Sequence, residues 1–500
     1  MAPTQYSDTH DVLLEPVGAL CAAGWRGAIR RAQACAPRAG KCGATGRNPV
    51  SAGKQEGQAC RRLAPRLAGD RRLFYWNFQL PCASIFGAGP GYGGMVQDDF
   101  PPHGIPRHGV GAHGRLSRSL LSCGAVGGAV LPLRRYRRGG PVDRALSIAE
   151  LRAMALHRLP AIAAEYLEGG AEEEVSLQAN RAAFDRLRFR PRLAEGAQGG
   201  QGFPYVIAPT GLNGLYWRGA DMALARAAAA AGVPFTQSTV SNVRLEEIAA
   251  VPGIDHWFQL YLFSQMAMVE QLLARAAGAG VRTLVVTVDA NTFGNREWNT
   301  RLYAAEARPS FAARLDVLRH PRWLAQVYRH GLPGFPNIAE WLGEGTGDLL
   351  QASQWLRRNI APTVRWEELA QVRRLWSGRM LVKGIGHVAD ARRAMALGAD
   401  GVVLGNHGGR QLDGAVSGMD LLAETREALG EKAMVLVEGG IRRGTDLLKA
   451  QRLGADAAMG GRATLYGVAV AGEAGAARAL AILRQEYERS QILLGDGDVV

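Results

Sequence analysis

Residues 401–413 read G-V-V-L-G-N-H-G-G-R-Q-L-D, an apolar run that stops in a glycine-rich turn carrying Asn406, His407 and Arg410. The first half has the form of a strand buried on both faces, and the glycines punctuate its end. The form recurs along the chain. Strand starts fall near Phe203, Val233, His256, Thr283, Arg379, Gly401, Met434 and Ala457, with Ala/Leu/Arg-rich helical patterns between them. Most intervals are 22–33 residues, one βα unit each. Eight such units in alternation predict an α/β chain closed into a parallel (β/α)8 TIM barrel; an open doubly wound sheet rarely needs so many regular units. The interval from Thr283 to Arg379 is 96 residues, which places an inserted loop, about 304–362, after strand 4.

In such a barrel the chemistry sits at the C-terminal strand ends. Here those ends read Pro209-Thr210-Gly211, Gln237-Ser238, Gln259-Leu260-Tyr261, Thr287-Val288-Asp289, Lys383-Gly384, Asn406-His407-Gly408-Gly409-Arg410, Glu438-Gly439-Gly440 and Gly461-Arg462. Singly, each has a plain structural reading, since Thr and Ser cap helices and most lone histidines are structural. Converging on one mouth, they make an active site. Gly439-Gly440 with Arg442, and Gly461 with Arg462, follow strands seven and eight, where backbone N–H groups and guanidinium groups suit a phosphate. Lys383 is a fixed cation suited to stabilising an anionic ring. His407 can act as general base with Asp289 holding its imidazole, and Arg410 and Arg296 can clamp a carboxylate bidentately.

Charge and cysteine divide the chain in two. Residues 1–142 carry 19 Lys+Arg against 7 Asp+Glu, a net of +12, and contain all six cysteines: Cys21, Cys35, Cys42, Cys60, Cys82 and Cys123. The remainder holds 40 basic and 38 acidic residues, a net of +2. The first segment shows no sustained periodicity, no paired zinc-ligand spacing and no true phosphate loop, because Pro90 interrupts Gly87, Gly89, Gly91, Gly93 and Gly94. It reads as a disordered extension or a stretch upstream of a later start such as Val142, and alternatively as a basic arm for nucleic acid or acidic lipid. A nucleic-acid-binding reading of the whole protein rests on that segment alone and is disfavoured. No metal site is expected. No stretch approaches 18 uninterrupted apolar residues, so no transmembrane helix is expected, and no secretion signal opens the chain.

The run L-P-A-I-A-A-E-Y-L-E-G-G-A-E within Ser147 to Glu174 opens a longer likeness. It continues through A-P-T-G-L-N-G, W-F-Q-L-Y, T-V-D, L-V-K-G, N-H-G-G-R-Q-L-D and G-G-I-R-R-G-T-D. Together these make residues 145–495 resemble the FMN-dependent 2-hydroxy-acid oxidase/dehydrogenase family, and P-T-G-L-N-G, S-T-V-S-N and G-R-A-T-L-Y-G resemble its membrane-associated mandelate-oxidising branch. The resemblance implies oxidation of an (S)-2-hydroxy acid, mandelate- or lactate-like, to the 2-oxo acid, with electrons passing to a quinone or another acceptor. An oxidase using oxygen stays open. By the same resemblance His407 is the base paired with Asp289, Arg410 and Arg296 bind the carboxylate, and Tyr166 and Tyr261 contact substrate. FMN is held by Pro209, Thr210, Gly211, Ser238, Gln259, Thr287, Lys383, Glu438, Gly439, Gly440, Arg442, Gly461 and Arg462. The resemblance further implies a homotetramer in the cytoplasm, peripheral on the inner face of the membrane. Residues 308–330 alternate arginines with apolar groups, and Pro321 divides them into two short amphipathic pieces. They read either as a lid or as an interfacial segment burying Trp323 among lipid headgroups. Three departures stand out: Gly405 where many relatives carry Ser, Glu438 where the family carries Asp, and Asn291-Thr292 in the loop after Asp289. Val240 and Gly211 are small, which suits an aromatic substrate.

Overall fold

The computed structural model describes residues 139–192, 202–302, 309–327, 329, 331–342 and 349–500. The expectations for residues 1–138 lie outside them. Eight strands form one closed parallel barrel: β1 (Tyr205–Ile207), β2 (Phe235–Ser238), β3 (His256–Tyr261), β4 (Thr283–Thr287), β5 (Arg379–Ile385), β6 (Gly401–Leu404), β7 (Met434–Glu438) and β8 (Ala457–Gly460), with β8 pairing back onto β1. All eight expected strands are present. β1 and β2 begin two residues later than their apolar runs because Pro204 and Pro234 have no N–H to give a ladder. Their carbonyls instead accept from Ala458 and Ile207.

The period of two along each strand decides what reaches the mouth. Val206, Trp257, Val285, Leu381, Val403, Leu436 and Met459 form an apolar cluster inside the barrel, separate from the larger core under the helices. Two residues on, the same parity presents Gln259, Thr287, Lys383, Gly405 and Glu438. Four residues on from Val285 and Val403 come Asp289 and His407. An apolar plug therefore floors the site, and polar groups stand on it.

Among the described residues, three α-helices precede the barrel: Ile148–Arg158, Ala161–Glu168 and Val175–Arg186. The Ser147 hydroxyl caps the first by accepting from the Glu150 N–H. A short antiparallel pair, Phe189–Arg190 with Asp498–Val499, ties this region to the C-terminus. The final helix, Arg462–Leu494, is long and apolar enough to cross a membrane by length and composition alone. It is kinked at Ala471 and Gly472 and packs on Ala220–Ala231 and Ile148–Arg158, with one face buried throughout. It serves as a core helix.

The connection between β4 and β5 holds the insertion. Its helices are Glu297–Arg301, Phe311–Leu318, Pro321–Gln326, Ala339–Leu342 and Leu349–Asn359, followed by the regular crossover helix Trp366–Leu375. Pro321 breaks the 308–330 stretch as expected, taking the first turn of the second piece, where its missing N–H costs nothing. The expectation that Trp323 faces lipid is corrected: it is 2% exposed, in the main core, with its Nε1–H donating to the Leu215 carbonyl at 2.8 Å. An indole with a satisfied N–H gains more from that pocket than from an interface. The outward apolar residues are Phe311, Leu315 and Leu318, with Arg314 exposed among them.

Candidate active site

The N-H-G-G-R turn after β6 is locked from beneath. Asn180 and Asn406 exchange side-chain bonds at 2.7 and 3.1 Å, and Asn406 also accepts from the Gly409 N–H and donates to the Val416 carbonyl. His407 is thereby held at φ 57°, in the left-handed region that few non-glycine residues occupy. Its Nδ1 lies 3.0 Å from Asp289 Oδ1, while Nε2 faces the Tyr261 hydroxyl at 3.5 Å. Burial alone would raise the Asp289 carboxyl, but His407 and Lys383 more than offset that and hold it below its ordinary value. An imidazole so tethered has one nitrogen free toward the cavity and a carboxylate to stabilise its protonated form. Burial, reinforced by Asp289, pushes the Tyr261 phenol up, so it remains a hydrogen-bond donor.

Beside the imidazole stand two guanidinium groups. Arg410 Nη1 donates to the carbonyls of Tyr166 (2.9 Å) and Gly169 (2.8 Å), and the group stacks over the Tyr166 ring at 5.1 Å. Arg296, from the inserted connection, lies over the same ring at 6.0 Å with a buried Nε lacking a partner. Burial first, then repulsion from Arg296 and Arg462, pushes Arg410 down to about 9. It is still protonated at neutral pH, and an arriving carboxylate would relieve that repulsion. Cations pre-ordered by backbone carbonyls and an aromatic face lose little entropy in closing on an anion.

Tyr166, Tyr261, Arg296, His407 and Arg410 share one cavity of about 250 Å³ with Pro209, Thr210, Gly211, Lys383, Glu438, Gly439, Gly440, Arg442, Gly461 and Arg462, while Asp289 stands behind His407 without lining it. Ser238, Gln259 and Thr287 stand at neighbouring strand ends without lining it. Lys383 Nζ donates to Glu438 Oε1 at 2.6 Å, and that oxygen also accepts the His407 N–H at 3.2 Å. Burial alone would lower the ammonium, but Glu438 and Asp289 hold it above its usual value. Arg442 lies over the Tyr466 ring at 5.5 Å, and Arg462 donates to the carbonyls of Leu167, Gly408 and Gly169.

The sequence reading missed several supports. Asp446, 1% exposed, accepts the N–H groups of Arg442 and Arg443 and pairs with Arg181, which also donates to the Gly440 carbonyl. Asn180 abuts Gly439 and Gly440, where a Cβ on Gly440 would fall 2.2 Å from the Asn180 carbonyl oxygen. The signal for Asp446 was its place three residues after Arg443, at the start of Gly444–Arg452. Phe335, Leu356 and Ile360 of the insertion also line the cavity and had no legible link to it.

The donor set suits a phosphorylated, ring-bearing cofactor such as FMN. Gln259 Nε2 and Thr287 Oγ1 are buried without partners at the strand ends. Positive-φ glycines at 439 and 440 bring backbone close beside Arg442, and Lys383 is a buried cation.

Residues 155–499 match the family described as FMN-dependent dehydrogenase. The chain is 39% identical over 366 residues to (S)-mandelate dehydrogenase of Pseudomonas putida, covering 71% of this chain and 91% of that protein. It is 38% identical over 361 residues to an L-lactate dehydrogenase of Pectobacterium atrosepticum, covering 69% and 92%. Among solved structures, one of the monotopic membrane protein (S)-mandelate dehydrogenase superposes with a TM-score of 0.67 at 38% identity, covering 70% of this chain and 96% of that one. A mandelate oxidase with (S)-2-phenylpropionate superposes with a TM-score of 0.58 at 35% identity, covering 70% and 94%.

Proposed function

This chain belongs to the FMN-dependent dehydrogenase family, and from that premise we propose that it oxidises an aryl-bearing (S)-2-hydroxy acid to the 2-oxo acid and passes the electrons to a membrane quinone. The observation carrying the chemistry is a single cavity in which His407, held by Asp289, adjoins Arg410 and Arg296 and stands above the buried Lys383. Arg410 and Arg296 receive the carboxylate and fix the CH–OH carbon against the imidazole. His407 Nε2 takes a proton from that centre, Asp289 stabilises the resulting imidazolium, and the Tyr261 hydroxyl orients the substrate oxygen. FMN, when bound, supplies the two-electron acceptor. Thr210, Lys383, Glu438, Arg442 and the glycine pairs at 439–440 and 460–461 are the residues that would hold it, with Ser238, Gln259 and Thr287 behind them. The ammonium of Lys383 offsets negative charge as it develops.

An aromatic substrate fits the small residues Gly211 and Val240, which meet each other on the wall of the cavity that Phe335 and Leu356 also line. We expect (S)-mandelate to exceed glycolate in kcat/KM by at least about tenfold, the lower end of what a single methylene is worth in an apolar pocket. Steady-state assays with an electron-accepting dye check this, and a preference for glycolate rejects it. Val240→Trp should shift preference toward smaller acids. Similarity to a mandelate oxidase keeps oxygen as a second acceptor to test, and peroxide formed in step with substrate use would favour it.

Attachment to the inner membrane face rests on the exposed Phe311, Leu315 and Leu318 with Arg314, Arg319 and Arg322 around them. We further propose that the chain assembles as a homotetramer, as its family resemblance implies.

A further inference from the structure

Glu438 and Gly405 fit each other in a way that concerns the cofactor's reactivity. Gly405 follows β6, and Glu438 ends the adjacent β7. A Cβ built on Gly405 would fall 2.3 Å from Glu438 Cγ and 3.1 Å from its Oε1. Any side chain at 405 would therefore displace the carboxylate. Gly405 has no positive φ, so its backbone is one that other residues adopt, and side-chain space alone calls for glycine. In that space Glu438, 6% exposed, bridges the Lys383 ammonium at 2.6 Å and the His407 N–H at 3.2 Å with one oxygen. Lys383 is itself 2% exposed. An aspartate at 438 is one methylene shorter and would leave that bridge unmade.

Resting on the FMN reading above, we infer that Glu438 is a positioning residue that holds Lys383 in a neutral pair, that Gly405 admits it, and that the pair lowers the electron affinity of bound FMN. Reduction adds negative charge to the ring. A lone buried ammonium favours that charge strongly, whereas an ammonium already paired with a carboxylate favours it less. Because Glu438 also accepts the backbone N–H of His407, one carboxylate ties the cation to the turn carrying the base.

The test is a reductive titration of the FMN-loaded full chain without substrate, which measures the midpoint potential independently of turnover. Glu438→Gln keeps the shape and removes the charge. It should favour the reduced form about tenfold, about 30 mV positive for a two-electron couple. Gly405→Ser should displace Glu438 and shift the potential the same way while weakening FMN retention. Gly405→Ser with Glu438→Asp together should recover FMN affinity relative to Gly405→Ser alone, a non-additive cycle expected of residues in contact. An unmoved potential in Glu438→Gln overturns the inference, even where FMN affinity changes, because the carboxylate then acts only as a space-filling or hydrogen-bonding group. Additive effects of the two substitutions overturn the coupling to Gly405. Failure of mandelate oxidation in a chain whose potential behaves as described would strike the substrate reading and leave this one standing.

Discussion

His407 sits at φ 57°, a conformation that costs a non-glycine residue roughly 1–2 kcal/mol and persists only where neighbours over-determine it. Here the determinants are named: Glu438 on its N–H, Asp289 on its ring, and the Asn180–Asn406 pair under its turn. The strain aims Nε2 into the cavity. His407→Gln should therefore lose about 10²–10⁴-fold in the rate of flavin reduction by substrate while keeping its yellow colour. Asp289→Asn should lose rate for a different reason, since an amide donor facing Nδ1 would leave the proton on Nε2 and spoil the base. Stopped-flow reduction with the visible spectrum as a loading control measures both, and a wild-type rate in His407→Gln rejects the assignment. The His407, Asp289 and Arg410 pattern was legible because each stands at the end of a recognisable strand, and a closed parallel barrel brings all strand ends to one mouth. Asn180 and Arg181 were not, because their importance lies in bonds to residues hundreds of positions away, Asn180 to Asn406 and Arg181 to Asp446, whereas Asp446 left a local trace in its bonds to Arg442 and Arg443.

Among the elements, the insertion separates what periodicity can tell from what packing decides. The break at Pro321 could be read directly, since proline ends one helix and suits the first turn of the next. The fate of Trp323 could not, because an amphipathic pattern fixes which residues share a face and not what that face meets. Packing turned Trp323, Val327, Phe335 and Ile338 into the core and left Phe311, Leu315 and Leu318 outside on the preceding helix. Those three, at three- and four-residue spacing, form the face available to a bilayer. Replacing all three by Ser should reduce co-sedimentation with anionic vesicles at least several-fold while leaving soluble-dye turnover within about twofold. These groups bury nothing in the barrel, and such surface changes typically cost little stability. Unchanged sedimentation would end the membrane role of this face, and loss of turnover would return it to the lid reading.

At the scale of the whole molecule, the barrel closes entirely within Tyr205–Gly460, and every residue of the candidate site falls between Tyr166 and Tyr466. A closed ring has no edge strand that another segment must complete. The helices before it, from Ile148, supply Tyr166 and Asn180, and the chain's last strand, Asp498–Val499, pairs with Phe189–Arg190 inside the same unit. Residues 143–500 should therefore fold alone, bind FMN and turn over substrate within about twofold of the full chain. The charge makes this a sharper experiment than truncation alone. The fragment carries a net +2 while residues 1–142 carry +12, so the extension dominates long-range attraction to anionic surfaces. Full chain and fragment, each sedimented with anionic vesicles across a salt series, should differ most at low salt and converge as salt screens the extension, since the Debye length falls to roughly 8 Å at physiological ionic strength. The binding the fragment retains there should disappear with Phe311, Leu315 and Leu318 replaced. A fragment that aggregates or loses FMN would show that residues before 143 complete the fold. Equal vesicle binding by both chains at low salt would mean that the extension contributes no attraction of its own.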